Sequence, residues 1–359
     1  MRTIYLIRHC EPDFPEGKRV CLSGRDVSLS RLGRMRAVLL GEYLPPVDHV
    51  FCSPLARAKE TALALASEVE VRENLRELGM GEWEGFTFEK IRTRYPKLYK
   101  ERGKRPFTYF PPGGESPADC LARIRSELDG LCQSVQGDFA IVAHAGANRL
   151  LLSELLKRDR NDFLNLPQPY GCVNTICEDG QALTVCKTGT QLQPVLSPEL
   201  CEKLMSAAGT PEAVQNHACA VAERADKMGH SLIKQGFALN LQLLHSAALL
   251  HDIARMEPQH PETGSTWLSA LGYPEVGAVI AMHHDLPNEL ETEINESVIL
   301  YLADKYFYGT SPVTLEERFA LSVEKCASEQ AKEAHNQRYQ QAKRVEAMIE
   351  KAVGNARDP

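Results

Sequence analysis

The chain has no CxxC pair although it holds 11 cysteines, and that odd, scattered set does not read as a disulfide framework. Buried small hydrophobes are the expected role of these thiols. A strand-like run opens the chain in place of a signal peptide, so a reducing cytoplasm is expected. No apolar run approaches the roughly 20 residues that cross a bilayer, which excludes a membrane-spanning helix. An excess of base is missing as well. With a formal net charge of −7 the chain is not expected to bind nucleic acid, whose phosphates require clustered Lys and Arg. Disorder is excluded too, because 359 residues that are 43% hydrophobic and 25% charged can bury two separate cores.

Up to about residue 190, strand-like runs at 3–7, 48–52, 139–143, 172–178 and 182–187 alternate with helical periodicity. That pattern predicts an α/β fold, a mainly parallel sheet with helices on both faces. Residues 29–40 read as a helix capped by Ser30, and 56–66 as another after Ser53-Pro54. In the loop 111–119, Ser116 is placed as N-cap, Pro117 at N1 and Asp119 in an acidic first turn. A Gln/Pro/Ser-rich stretch near 190–199 reads as a linker, giving domains 1–192 and 200–359. The second domain is expected to be all-α, with helices at 200–207, 211–228, 240–254, 262–271, 274–284, 294–307 and 314–352. The last of these either packs its apolar stripe on the domain or serves a homodimer interface.

Two strand-like runs end on histidine: 3–7 leads into Arg8-His9, and 139–143 leads into His144. Ligands of open α/β sheets bind at the carboxyl ends of the strands, so the two histidines point to one phosphate site there. A neutral imidazole can attack phosphorus if one ring nitrogen is held by a backbone carbonyl and the other is free. Arg8 and Arg57 bring the guanidinium groups that the phosphoryl oxygens need, Arg57 one turn into a helix.

Leu6-Ile7-Arg8-His9, Ser53-Pro54-x-x-Arg57-Ala58-x-x-Thr61-Ala62, Leu75-x-Glu77-x-x-x-Gly81-x-Trp83-Glu84-Gly85, Gly114-Glu115-Ser116 and Ala143-His144-x-Gly146-x-x-Arg149 stand in one order. In this the region of about 1–190 resembles the histidine phosphatase superfamily, also called phosphoglycerate-mutase-like. The resemblance implies that His9 is the phosphorylated nucleophile, that Arg8, Arg57 and His144 hold the phosphoryl oxygens, and that no cofactor is needed. It favours Glu77 over Glu82 and Glu84 as proton donor to the leaving alkoxide, because Glu77 sits four residues before Gly81. An acid there serves twice, since its carboxylate can then activate water. Ser23 lies in what resembles the substrate-side loop and is a weaker candidate for phosphate contact. Cys10 stands where the family usually carries Gly, and its side chain is expected to crowd the substrate or alter the loop. The Trp83-Glu84-Gly85 variant and the modest insertion at 86–116 resemble the phosphatase branch that includes α-ribazole phosphatase, so hydrolysis is expected over a mutase reaction.

Beyond residue 200 a second set appears: His217, His251-Asp252, His260, His283-His284 and Asp304. Consecutive ligands on a helix diverge by about 100° unless they sit at its end, so other helices must complete a site around His251 and Asp252. A lone histidine on an apolar face is more often a core residue, and His230 and His245 are read that way. Residues 211–310 resemble the HD superfamily of metal-dependent phosphohydrolases. That resemblance makes His217, His251, Asp252 and Asp304 metal ligands, with His260 and His283, and His284 as a further candidate, completing a two-ion site. Imidazole and carboxylate ligands suit Fe, Mn, Co or Zn without selecting among them. Arg255 and Lys305 are candidate substrate contacts, because arginine binds phosphate bidentately.

The leading expectation is a bifunctional phosphohydrolase acting on a small phosphorylated metabolite or nucleotide. The alternatives are a histidine phosphatase regulated by a non-catalytic nucleotide-binding HD domain, and a phosphoglycerate-type mutase.

Overall fold

In the computed structural model, which describes residues 1–180, 182–324 and 326–354, the first apolar run forms β1 (Arg2–Arg8) at the centre of a six-stranded mixed sheet. Along the chain follow α1 (Arg31–Tyr43), β2 (His49–Cys52), α2 (Ala56–Leu63), β3 (Glu70–Val71), α3 (Phe88–Arg94), α4 (Pro96–Lys104) and α5 (Pro117–Ser134). The remainder of this unit, Met1–Pro194, is β4 (Phe139–Ala143), α6 (Ala145–Leu155), β5 (Val173–Asp179) and β6 (Ala182–Thr190).

The strand order is β3-β2-β4-β1-β5-β6; the first four are parallel, β5 is antiparallel to β1, and β6 is antiparallel to β5. Side-chain alternation splits the core between the two sheet faces. Leu6, Phe51 and Ile141 pack with Leu121, Ile124 and Leu150 from α5 and α6. Ile7, Val50 and Val142 pack with Ala37, Leu40 and Ala58 from α1 and α2. The expected caps are present: Ser30 accepts from the Gly33 N–H and Ser116 from the Asp119 N–H. The register pairs Arg8 with Ala143 and Cys52 with Val142, so β1, β2 and β4 end together and His9, Ser53 and His144 emerge side by side.

The second unit, Val195–Pro359, holds α7 (Pro198–Ala208), α8 (Glu212–Ile233), α9 (Leu241–Leu250), α10 (His260–Leu271), α11 (Pro274–Ala281) and α12 (Glu296–Lys305). A short hairpin, β7 (Phe307–Tyr308) with β8 (Ser311–Pro312), then precedes α13 (Leu315–Val323) and α14 (Glu329–Gly354). The unit is therefore helix-rich, as expected, with one two-stranded hairpin of two residues a side. α9 is largely buried, with Leu244, Ala247, Ala248 and Leu250 at 0% exposure. Two expectations are corrected. The span 314–352 is two helices, and Ser328 caps the second by accepting from the Ala331 N–H at 3.1 Å. The helix expected over 240–254 stops at Leu250, which frees the next two residues to converge. Among the described residues no helix is long and apolar enough to cross a membrane, and all eleven cysteines are free thiols.

Candidate functional site

At the strand ends of the first unit, His9 is almost fully buried and its Nδ1 lies 2.6 Å from the Cys10 carbonyl oxygen. A carbonyl only accepts, so Nδ1 carries the proton and Nε2 keeps its lone pair. Nε2 accepts from the Arg57 Nε–H at 3.3 Å, and Arg57 is itself held by the Arg25 and Ser23 carbonyls, each at 2.7 Å. The His144 ring lies 5.0 Å from that of His9, and its Nε2 is 2.7 Å from Ser53 Oγ. Ser53 Oγ also accepts from the Leu55 N–H at 3.4 Å, and where its own proton goes to His144 Nε2 the ring proton sits on Nδ1. Arg8 stacks on Tyr170 with its guanidinium carbon 3.7 Å from the ring centroid, and donates to the Gln168 carbonyl. His144 Nδ1 and Arg8 Nε are buried without a hydrogen-bond partner, two donors suited to an oxyanion.

Arg8, His9, Arg57 and Glu77 line one cavity of about 320 Å³, together with Arg19, Arg102, Arg149 and Tyr170. Glu77 is the one acid of this lining. Its carboxylate accepts from the N–H groups of Gly146 (3.2 Å) and Ala147 (3.1 Å), at the start of α6, and from that of the adjacent Leu78 (2.8 Å). Its rivals are engaged elsewhere: Glu84 accepts from the Gly24 N–H and Glu82 from the Tyr95 hydroxyl.

In the second unit the ligand candidates come from five helices and their ends. His217 Nε2 lies 3.1 Å from Asp304 Oδ1, and His251 Nε2 lies 3.8 Å from the same oxygen. Asp252 Oδ2 is 3.7 Å from His251 Nε2, while its Oδ1 is 3.1 Å from His260 Nε2 and 3.5 Å from His283 Nε2. Two groups result, His217-His251-Asp252 and Asp252-His260-His283, each with ligand atoms within 4.8 Å of one another, and Asp252 belongs to both. Three rings are oriented by backbone carbonyls at Nδ1: His217 by Gly309 at 2.7 Å, His251 by Ala248 at 2.8 Å and His283 by Ile280 at 2.6 Å. Their Nε2 lone pairs therefore face the carboxylates, since a backbone acceptor on Nδ1 fixes the tautomer that can ligate a metal. His251 Nε2 and Asp252 Oδ1 are buried with no hydrogen-bond partner, so a cation fits this donor set. Burial holds His251 down at about 4, its neutral ligand form. Burial alone would raise Asp252, yet the surrounding histidines and Arg255 hold it well below the usual carboxyl range.

A family model described as the histidine phosphatase superfamily (branch 1) matches residues 4–189, just over half of the chain. The chain belongs to that superfamily. It is a phosphatase, and a second model, the HD domain, matches residues 214–309. A Hydrogenobacter thermophilus protein named "Putative phosphoserine phosphatase 2" is 29% identical over 191 residues, covering 52% of this chain and 94% of its own length. The Gallus gallus 6-phosphofructo-2-kinase/fructose-2,6-bisphosphatase is 30% identical over 186 residues, and the match spans 48% of this chain but only 38% of that longer protein. A solved mycobacterial glucosyl-3-phosphoglycerate phosphatase aligns with 27% identity and a TM-score of 0.48, covering 53% of this chain and all of its own.

In this histidine phosphatase the fold brings Arg8, His9, Arg57, Glu77 and His144 together, and it gathers all six HD-type ligand candidates. Four expectations are revised. Ser23 spends its hydroxyl on the acid loop, donating to the Leu78 carbonyl at 2.7 Å and accepting from the Met80 N–H at 3.0 Å. Lys305 donates to Asp304 and to the His283 carbonyl, so it positions ligands and is not a free substrate contact. His284 is exposed, bonded to Asp285, and belongs to neither ligand group. The Cys10 thiol turns away from the cavity into the core with Leu29 and Ala37, and burial pushes it up to about 12. Arg255 lines the second cavity, with Nη1 3.2 Å from His260 Nε2. Tyr170 and Arg102 were not anticipated. Ser53 was visible in the motif, but its hydrogen bond to His144 was not.

Two consequences are measurable. A Cβ on Gly146 would stand 2.6 Å from Glu77 Oε1, and the carboxylate is the part that can yield. Gly146→Ala is therefore expected to lower kcat about 100-fold through a misplaced acid, with the melting temperature almost unchanged; steady-state kinetics beside a thermal scan separate the two. Second, burial, with Arg8 and Arg57, holds His9 well below the usual imidazole range, and burial, with His9 and the same arginines, does so for His144. Unfolded, both rings bind protons below about pH 6.5. The unfolded state then holds more protons, so stability present above that pH is lost as it falls, by about 1.4 kcal/mol per pH unit for each ring. Urea titrations of wild type and His9→Asn from about pH 7 to pH 5 should show the steeper slope in wild type; equal slopes would contradict it.

Proposed function

We propose that this chain is a bifunctional phosphohydrolase, with a phosphomonoesterase centred on His9 and a metal-dependent phosphoester or phosphoanhydride hydrolase centred on Asp252. The observation that carries the reading is the unprotonated Nε2 of His9, facing Arg57 in a cavity that also holds Glu77. In the first step Nε2 attacks phosphorus, the P–O bond to the leaving group breaks, and protonated Glu77 gives its proton to the departing alkoxide. In the second, the Glu77 carboxylate takes a proton from water as its oxygen displaces the imidazole from phosphorus. Arg8, Arg57 and His144 hold the equatorial oxygens throughout.

The substrate side of the first centre reads as a small phosphomonoester with further negative charge. Five arginines line its cavity, and phosphoserine and fructose 2,6-bisphosphate, which the relatives' names give as their substrates, each carry a second anionic group.

At the second centre His217, His251, Asp252, His260, His283 and Asp304 would hold two divalent ions. When bound, such ions supply Lewis acidity toward a phosphoryl oxygen and activate water. The chain's own part is to fix imidazole tautomers through backbone carbonyls and to share Asp252 between the two groups. The test is phosphate release from a panel of phosphorylated metabolites and nucleotides by wild type, His9→Ala and Asp252→Ala. Two activities, each lost in one variant alone, are expected. A single activity lost in both, or no Asp252-dependent hydrolysis, would overturn the bifunctional reading.

A further inference from the structure

We propose that Arg318, on α13 and outside the segment matched by the HD model, selects the substrate of the second centre by binding a second phosphoryl group. The inference rests on reading that centre as a phosphohydrolase, and it adds the substrate class: organic phosphates with two phosphoryl groups, joined directly or across a sugar.

The cavity over the ligand groups, about 440 Å³, does not end at the HD segment but continues onto α13 and α14, where Arg318, Phe319, Ser322, His335 and Arg338 line it. The acids in its lining are the ligands Asp252 and Asp304, so the rest of the charged wall is cationic. Most of those cations are already engaged. Lys305 is bonded to Asp304, Arg338 pairs with Asp285 at 2.5 Å, and Arg255 lies 3.6 Å from Asp252.

Arg318 differs. Among the described residues its guanidinium has no carboxylate partner; its Nε is buried without a hydrogen bond, and its guanidinium carbon lies 5.6 Å from the Tyr308 ring centroid. A partly desolvated guanidinium without an anion is unfavourable, and a phosphoryl group is its best-matched complement, because two parallel N–H groups meet two oxygens. The same cavity is lined by His217, Asp252 and His283, members of the two ligand groups that would receive the phosphoryl under attack. A substrate that satisfies both ends must carry anionic charge at both.

The test uses the full-length His9→Ala chain, which silences the first centre, loaded with Mn²⁺. Adenosine 5′-monophosphate is compared with adenosine 5′-diphosphate and adenosine 3′,5′-bisphosphate. The doubly phosphorylated probes should be preferred in kcat/KM by about 100-fold, and Arg318→Gln should remove that preference while changing monophosphate hydrolysis less than about threefold. Arg318→Lys, which keeps the charge without the fork, should fall between the two. Calorimetry on the metal-free chain gives a readout apart from turnover: Arg318→Gln should weaken binding of inorganic pyrophosphate at the second centre at least about tenfold. Equal losses for mono- and diphosphates, or pyrophosphate binding indifferent to Arg318, would overturn the inference. If no probe is hydrolysed in an Asp252-dependent way, the phosphohydrolase reading fails by itself, and the pyrophosphate titration still decides the role of Arg318.

Discussion

Replacing His9 with alanine should lower phosphomonoester hydrolysis at the first centre by about 10⁴-fold or more, the size of effect seen when the nucleophile of a covalent mechanism is removed. The reason is geometric. Nδ1 of His9 is locked on the Cys10 carbonyl and Nε2 faces Arg57, so the Nε2 lone pair is set in the cavity before substrate arrives. Neutral protonation reinforces this, because burial beside two guanidinium groups keeps the ring unprotonated far into acid. In His9→Ala the arginines, His144 and Glu77 remain, so binding of the phosphoryl group should survive while turnover does not. Measured in an Asp252→Ala background, which removes the second centre, p-nitrophenyl phosphate kinetics should show the fall in kcat with a much smaller change in inhibition by orthophosphate. A short pulse of ³²P-labelled substrate, quenched in alkali, should leave acid-labile label on the parent protein and none on the variant. Retention of activity within about tenfold would mean that water attacks directly, and the covalent route would be lost.

Why these groups were legible in the sequence, and others were not, follows from how each is positioned. Arg8-His9 and His144 terminate parallel strands, so their convergence follows from the period of the runs before them and from where open sheets bind ligands. Arg57 follows from a strand-to-helix turn. Tyr170 has no such periodic support: it reaches Arg8 from the irregular loop Pro167-Gln168-Pro169-Tyr170-Gly171. Nothing local in that segment distinguishes a stacking aromatic from an exposed one. Ser23 shows the opposite failure, a polar loop residue whose hydroxyl is used inward, by the backbone at Leu78 and Met80.

In the second unit, the ligand types and their order were readable, but the geometry that unites them depends on helix ends. Periodicity carried the helix through 254, since Ile253 and Ala254 are as apolar as the residues before them. The structure ends α9 at Leu250 instead, where Thr210 Oγ1 donates to the Ile253 carbonyl at 3.0 Å and the chain turns through 251–256. Arg318 was invisible because Tyr308 beside it and the ligands that share its cavity lie across a hairpin and a helix boundary that the pattern does not mark.

That turn after α9 gives Asp252 its weight, and Asp252→Ala should abolish the second activity and the retention of both ions together. No other residue belongs to both ligand groups: Oδ1 lies 3.1 Å from His260 Nε2 and 3.5 Å from His283 Nε2, and Oδ2 lies 3.7 Å from His251 Nε2. Without the carboxylate each group keeps two imidazoles and loses the charge it shares, with Asp304 left beside His217 and His251 only, which should weaken ion binding by more than about 100-fold, the upper end of what even an outer-shell change costs. Because ions bind the folded chain and not the unfolded one, wild type should gain about 2.7 kcal/mol of stability at an ion concentration a hundred times Kd, and the variant should gain none. Elemental analysis after gel filtration, thermal scans with and without Mn²⁺, and hydrolysis by the His9→Ala chain with and without the Asp252 change give three independent readings. Histidine variants separate the ions: His217→Ala should loosen one and spare the other, whereas His260→Ala should do the reverse. An Asp252→Ala chain that still carried two ions, or that kept its metal-dependent stabilisation, would show that the carboxylate is not shared between the two groups. The hydrolytic role given to this centre would then have to rest on His217, His251 and Asp304 alone.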